Sequence, residues 1–274
     1  MIPVGASLKL AGVGKRYGLR QPWVLDRITL DVPPGTLLRI EGPNGCGKST
    51  LLRLIAGIGR PTRGRVDQPR RRAYVPERFA ADLPITLGSY LAHLGAVQGL
   101  STTVAVERAG FWLERLGAAA WAANPMGTLS KGTAQKAALA AALVGEPDLL
   151  VLDEAWTGLD VAARLELDRA VDERLAAGAI VVFVDHDVRR LAGRATTSFA
   201  IDQGVLAARG PAGGVSPADS AEGLVEIEFE TADGAGRVLS VAVGEVDRIL
   251  REVLAEPGAH ICAVRPTEPK VSRS

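Results

Sequence analysis

The stretch "LLRIEGPNGCGKSTLLRLIAG", residues 37–57, constrains the fold more than any other. Leu37 to Ile40 form an apolar run that reads as a buried strand. Gly42 to Thr50 follow as G-x-x-x-x-G-K-S-T, and Leu51 to Ala56 continue with the apolar spacing of a helix. A strand feeding a glycine-rich turn and then a helix is the layout that holds a polyphosphate. Gly42, Gly45 and Gly47 let the backbone curl so that its N–H groups face the ligand, with Pro43, Asn44 and Cys46 between them. Lys48 brings a point charge to the outer phosphates, and Ser49, followed by Thr50, offers a hydroxyl to Mg²⁺. The alternative is a glycine-rich turn that binds nothing.

A second run, "PDLLVLDEAWTGLD" at 147–160, is continuously apolar from Leu149 to Leu152 and then ends in two acids. Such a run suits a parallel strand buried on both faces, and its C-terminal edge is where ligands bind in open α/β sheets. Asp153 is placed to hold Mg²⁺, and Glu154 to take a proton from an attacking water. The competing reading has the two acids capping a helix. "VVFVDHD" at 181–187 is another buried strand, ending in Asp185, His186 and Asp187. A lone histidine is usually structural, but at the end of a neighbouring strand His186 can sense or stabilise phosphate charge.

The stretch "LSKGT" at 129–133 opens an alanine-rich helical segment with small and polar residues. That is how a helix N-terminus built for an anion reads, and it is also how an ordinary helix with Ser130 as N-cap reads. A second phosphate half-site far from the first needs a reason.

Composition narrows the classes. The chain has 274 residues and is 47% hydrophobic, ample for a sizeable core. Its 32 basic residues nearly balance its 31 acidic ones, so no basic field of nucleic-acid scale is expected. Cys46 and Cys262 are too few for a disulfide framework and fit a reducing compartment. No signal peptide is read at the N-terminus. The longest apolar stretches fall short of the roughly 18–20 residues a membrane span needs.

Taken together, these stretches resemble the nucleotide-binding subunit of ABC (ATP-binding cassette) transporters, over roughly residues 7–210. The resemblance implies an α/β fold: a P-loop NTPase core with a mainly parallel sheet, an antiparallel β subdomain, a helical subdomain and a small C-terminal α+β extension. It also implies an ATPase that uses ATP and Mg²⁺. Tyr17, in "KRYG", matches the aromatic that stacks on adenine. Gly42 to Thr50 match Walker A, with Lys48 in the catalytic set. Asp153 matches the metal aspartate of Walker B and Glu154 the catalytic glutamate. Asp160 matches the D-loop and His186 the switch histidine. "LSKGT" is similar to the family's signature motif, which closes on nucleotide held by a partner chain. On that resemblance Ser130 and Gly132 contact the partner's phosphate, and the chain carries two half-sites because ATP lies between two cassettes. Lys131 and Thr133 depart from the family's glycine and glutamine, and Ala155 and Trp156 replace the common proline. Glu77, in "AYVPERF", stands where the family has its Q-loop glutamine and is expected to meet water or Mg²⁺ and link the site to the helical subdomain.

The expected organisation is a cassette over residues 1–210 with its helical subdomain at about 85–146, a Gly/Pro/Ser-rich linker at 211–223, and a small β-β-α-β domain at 224–274. Tyr90, Leu91, Leu94, Phe111 and Trp112 are candidates for a membrane-partner interface, with core packing as the default. The implied partners are an integral-membrane permease and a second cassette, with no nucleic acid, at the cytoplasmic face of the membrane. The C-terminal segment and the "YVPE" and "LSKG" variants are similar to the subgroup that serves ABC-2-type export permeases, so export is expected. The other function classes are a non-transport ABC ATPase and a module that binds nucleotide without hydrolysing it.

Overall fold

A computed structural model gives the fold. It describes residues 7–18, 20–79, 82–187, 189–191, 194–209, 224–230, 236–242, 249 and 260–266. The chain divides into two units, residues 1–213 and 214–274. In chain order the first contains β1 (Leu8–Lys15), β2 (Leu25–Val32), β3 (Leu37–Glu41), α1 (Lys48–Ile55), β4 (Arg63–Asp67), β5 (Arg72–Val75), α2 (Leu87–Val97), α3 (Thr102–Arg115), α4 (Lys131–Leu143), β6 (Leu149–Asp153), α5 (Val161–Ala176), β7 (Ile180–Val184), β8 (Thr197–Asp202) and β9 (Val205–Arg209).

Six of these strands form one sheet in the order β5-β6-β7-β3-β8-β9. Only the β8–β9 pair is antiparallel; the rest of the sheet is parallel. Every residue of β6 and β7 is buried, as a parallel strand covered on both faces requires. One face, with Leu150, Leu152, Val181 and Phe183, packs with apolar residues of α4 and α5. The other, with Leu38, Ile40, Val151 and Val182, packs with Leu51 and Leu52 of α1 and with Leu8, Leu10 and Ile28. Each such side chain, fully buried, contributes about 1.5–3 kcal/mol. The last three belong to a separate antiparallel sheet, β2-β1-β4.

This is the expected fold class, with one local difference and two open readings decided. The helix after the phosphate loop begins at Lys48 rather than Leu51, so Ser49 and Thr50 lie in its first turn. Asp153 and Glu154 do not cap a helix; Asp160 caps α5, accepting from the Ala163 N–H at 2.8 Å. Of the interface candidates, Leu91 and Trp112 are core residues, and only Phe111 stands well out of the surface.

The second unit shows a three-stranded antiparallel sheet of β10 (Leu224–Glu230), β11 (Gly236–Ala242) and β12 (His260–Pro266), in the order β11-β10-β12. Ile227 and Phe229, two apart on β10, are buried on one face of it. The helix expected at 244–258, apart from residue 249, and the linker expected at 211–223 lie outside the described residues.

Candidate functional site

The site forms where β3, β6 and β7 end, beside one another in the sheet. The loop leaving β3 depends on its glycines. Gly42 has φ +143°, and a Cβ there would stand 2.5 Å from the Ile201 carbonyl oxygen and 2.8 Å from Cys46 Sγ. Gly47, the N-cap of α1, has φ +108°, and its Cβ would meet the Val24 carbonyl at 3.0 Å. Gly45, at φ +81°, faces open space. Lys48 folds back over the loop, its Nζ donating to the Gly42 and Pro43 carbonyls at 2.7 and 2.9 Å. The loop is thus already curled around its lysine.

Asp153 is 4% exposed, and both its oxygens have donors. Ser49 Oγ donates to Oδ1 at 3.3 Å and Tyr74 Oη to Oδ2 at 2.8 Å. Burial pushes the Tyr74 hydroxyl up, and the Asp153 charge adds to this, so the tyrosine stays a donor. A hydroxyl and one carboxylate, both hard oxygen donors, suit Mg²⁺, which is held by one or two carboxylates with phosphate and water filling the rest. Ser49 and Asp153 would hold it, and it would supply charge neutralisation at the phosphates.

Glu154 lies one residue beyond β6 in the left-handed region, φ 53°. That conformation costs a non-glycine residue about 1–3 kcal/mol, and the fixed end of β7 holds it: the Glu154 N–H donates to the Val184 carbonyl at 3.0 Å. Its carboxylate meets His186 Nε2 at 2.8 Å. Burial pushes the Glu154 carboxyl up, and Glu77 and Asp153 push the same way, while His186 and Lys48 pull it back. A carboxyl raised from its ordinary value is a better proton acceptor once ionised.

A cleft of about 370 Å³ is lined by Asn44, Gly45, Gly47, Lys48, Ser49 and Thr50 together with Glu77, Glu154, His186 and Val24. Tyr17 stands next to it, 61% exposed, its hydroxyl 3.1 Å from Thr50 Oγ1. Glu77 also lines a second cleft, of about 560 Å³, with Lys131 and Gln135. Ser130, Gly132 and Asp160 are not in the lining of the first cleft. Ser130 caps α4, accepting from the Thr133 N–H at 3.2 Å. Gly132 packs close to the loop before α5, where a Cβ on it would stand 3.1 Å from the Gly158 carbonyl. Asp160 pairs with Lys136 of α4 at 2.6 Å, which draws its carboxyl below the usual range. Sequence reasoning missed Tyr74. Its signal was faint: a tyrosine near the end of a short strand, two residues before Pro76.

Residues 25–157 match the sequence profile of the family described as ABC transporter. The chain is similar to the zinc import ATP-binding protein ZnuC of Pseudomonas putida, 38% identical over 186 residues, covering 67% of this chain and 70% of that protein. It is also similar to the aliphatic sulfonates import ATP-binding protein SsuB 1 of Streptomyces avermitilis, 39% identical over 211 residues, covering 74% and 75%. Among solved structures, the ATP-binding subunit of an ABC transporter superposes with a TM-score of 0.69 at 26% identity, over 74% of this chain and 89% of that one. An ABC cassette in its ADP conformation superposes with a TM-score of 0.61 at 23% identity, over 76% and 92%, a likeness of fold.

Proposed function

The chain belongs to the ABC transporter family, and from that premise we propose how its own residues bind and split ATP. As an ATP-binding subunit of that family it is an ATPase that works with Mg²⁺, drives a membrane permease and pairs with a second cassette. Its place at the membrane comes through the permease it drives; no helix among the described residues is long and apolar enough to cross a membrane.

The observation that carries the reading of the site is the convergence of Lys48, Ser49, Glu77, Glu154 and His186 on one cleft. Lys48 and the glycine-loop N–H groups hold the phosphates, and Tyr17 offers its exposed ring to the base. Ser49 and Asp153 hold the metal. Glu154 accepts the proton of the attacking water, with His186 orienting its carboxylate. The site works by positioning and by charge stabilisation, with no covalent step on the protein. Ser130 and Gly132 serve the partner chain's nucleotide, and Asp160 lies beside that contact.

Glu154→Gln tests the assignment. The variant is expected to bind nucleotide as the parent does and to release phosphate about 100-fold more slowly, the lower end of what a general base supplies. Turnover equal to the parent's would remove Glu154 from the role. The relatives' names, zinc import and aliphatic sulfonates import, lend no support to the export direction expected from the sequence. The proposal therefore stops at a permease-driving ATPase.

A further inference from the structure

Arg39 occupies the middle of β3, a central strand where Leu37, Leu38 and Ile40 are buried, and it is itself 5% exposed. A guanidinium taken out of water must be answered by acceptors. Its Nη1 donates to the Arg190 carbonyl at 3.1 Å. Its Nη2 donates to the Asp187 carbonyl at 3.1 Å and, more weakly, to the Asp185 carbonyl at 3.4 Å. Nε lies 2.9 Å from the Glu41 carboxylate, an ion pair without hydrogen-bond geometry. The group lies 5.5 Å from the ring centroid of Phe183, its register partner on β7.

All three carbonyls belong to the segment that leaves β7, and His186 sits between two of them. That segment is held from a second side as well. Arg190 lies 5.4 Å from the Trp156 ring, and Trp156 meets Phe183 edge-on at 5.9 Å. Trp156 is fixed in turn by Asp168, which accepts from its indole N–H at 2.7 Å.

We infer that Arg39 is a positioning residue for His186, setting the backbone on both sides of the imidazole and so its reach to Glu154. The logic is energetic. The segment cannot lift away from β3 without leaving a buried cation short of acceptors, so the β3 charge pins a loop 146 to 151 residues further along the chain. β3 also feeds the phosphate loop. One strand therefore sets both the loop before Lys48 and the loop around His186. The inference rests on the ATPase reading above for the meaning of the His186–Glu154 contact, but the geometry can be tested without it.

The test uses the full chain as Arg39→Met, Arg39→Lys, His186→Ala and the Arg39→Met/His186→Ala pair. Amide hydrogen exchange is expected to rise about tenfold over residues 185–190 in Arg39→Met while β7 keeps its protection, with Arg39→Lys in between. In phosphate release, Arg39→Met is expected to lower kcat about tenfold with the KM for ATP within about twofold, since small misplacements of a positioned group cost that much. In the His186→Ala background the same change should alter kcat by less than about twofold, because the group it positions is gone. Unchanged exchange over 185–190, or losses at the two sites that multiply, would overturn the inference. Should Arg39→Met fail to fold, Arg39→Lys carries both comparisons. A parent chain without hydrolysis would sink the ATPase reading and leave hydrogen exchange to judge Arg39.

Discussion

Asp153 shows how much one carboxylate depends on groups far off in sequence. Its Oδ2 accepts from Tyr74, 79 residues earlier, inside a site that water scarcely reaches. A hydrogen bond to a charged buried group is worth about 1.5–3 kcal/mol, more than a neutral one. Tyr74→Phe keeps the ring and removes only the donor. We expect it to lower unfolding stability in urea, measured without metal, by about 2 kcal/mol. An unchanged midpoint and slope would mean that Asp153 does not need the tyrosine. At this scale the sequence was half legible. Lys48, Ser49, Asp153, Glu154 and His186 stand out as candidates through motif and strand end, because those patterns are local even where the contacts they make are not. Tyr74 and Arg39 do not, because each acquires its meaning from a partner chosen by strand order, and strand order is not written locally.

The phosphate loop is the element on which the site turns. All three of its glycines, Gly42, Gly45 and Gly47, have positive φ, yet they differ in what surrounds them. An alanine at Gly42 needs the left-handed side of the map and drives its Cβ into the Ile201 carbonyl and Cys46 Sγ. An alanine at Gly45 meets the first penalty only, about 1–2 kcal/mol. Adding an overpacking cost of about 1–3 kcal/mol, Gly42→Ala should lose about 3 kcal/mol against about 1–2 for Gly45→Ala in urea unfolding. Equal losses would show that the loop gives way around the new methyl. Helix placement was legible here except at the start of α1. The helix begins at Lys48, because Gly47 in its left-handed conformation is already the cap, whereas apolar spacing first shows at Leu51. At the start of α4 both sequence readings of Ser130 were open, and one chain shows its capping bond and its hydroxyl contact with Thr133. A role across two chains cannot be read from one.

That question belongs to the whole molecule. The residues proposed for the partner's phosphate, Ser130 and Gly132, are absent from the lining of the cleft that holds Lys48. If each cleft is completed by a second copy, turnover per chain must depend on how many chains are paired. Phosphate release per molecule is therefore expected to fall about tenfold or more on dilution through the pairing range, since mass action empties the assembled site. A rate per molecule that stays constant where light scattering finds only monomers would end the shared-site proposal. The α/β plan of the first unit, a parallel sheet covered on both faces, was legible from continuous apolar runs. Near the end of the chain the strands at 224–230, 236–242 and 260–266 lie where alternating apolar residues placed them.

The sheet order has a consequence for how the chain is made. β3 leaves the ribosome early, yet both strands that flank it, β7 and β8, are encoded some 140 to 160 residues later. At about 5–20 residues per second, β3 waits roughly ten to thirty seconds with both backbone edges unpaired. Leu37, which packs in the cluster with α4 and α5, is uncovered for the same interval, whereas Leu38 and Ile40 pack with α1 and the earlier strands. A lone arginine amid Leu37, Leu38 and Ile40 makes β3 less apolar during that wait, and a charge within such a run opposes aggregation.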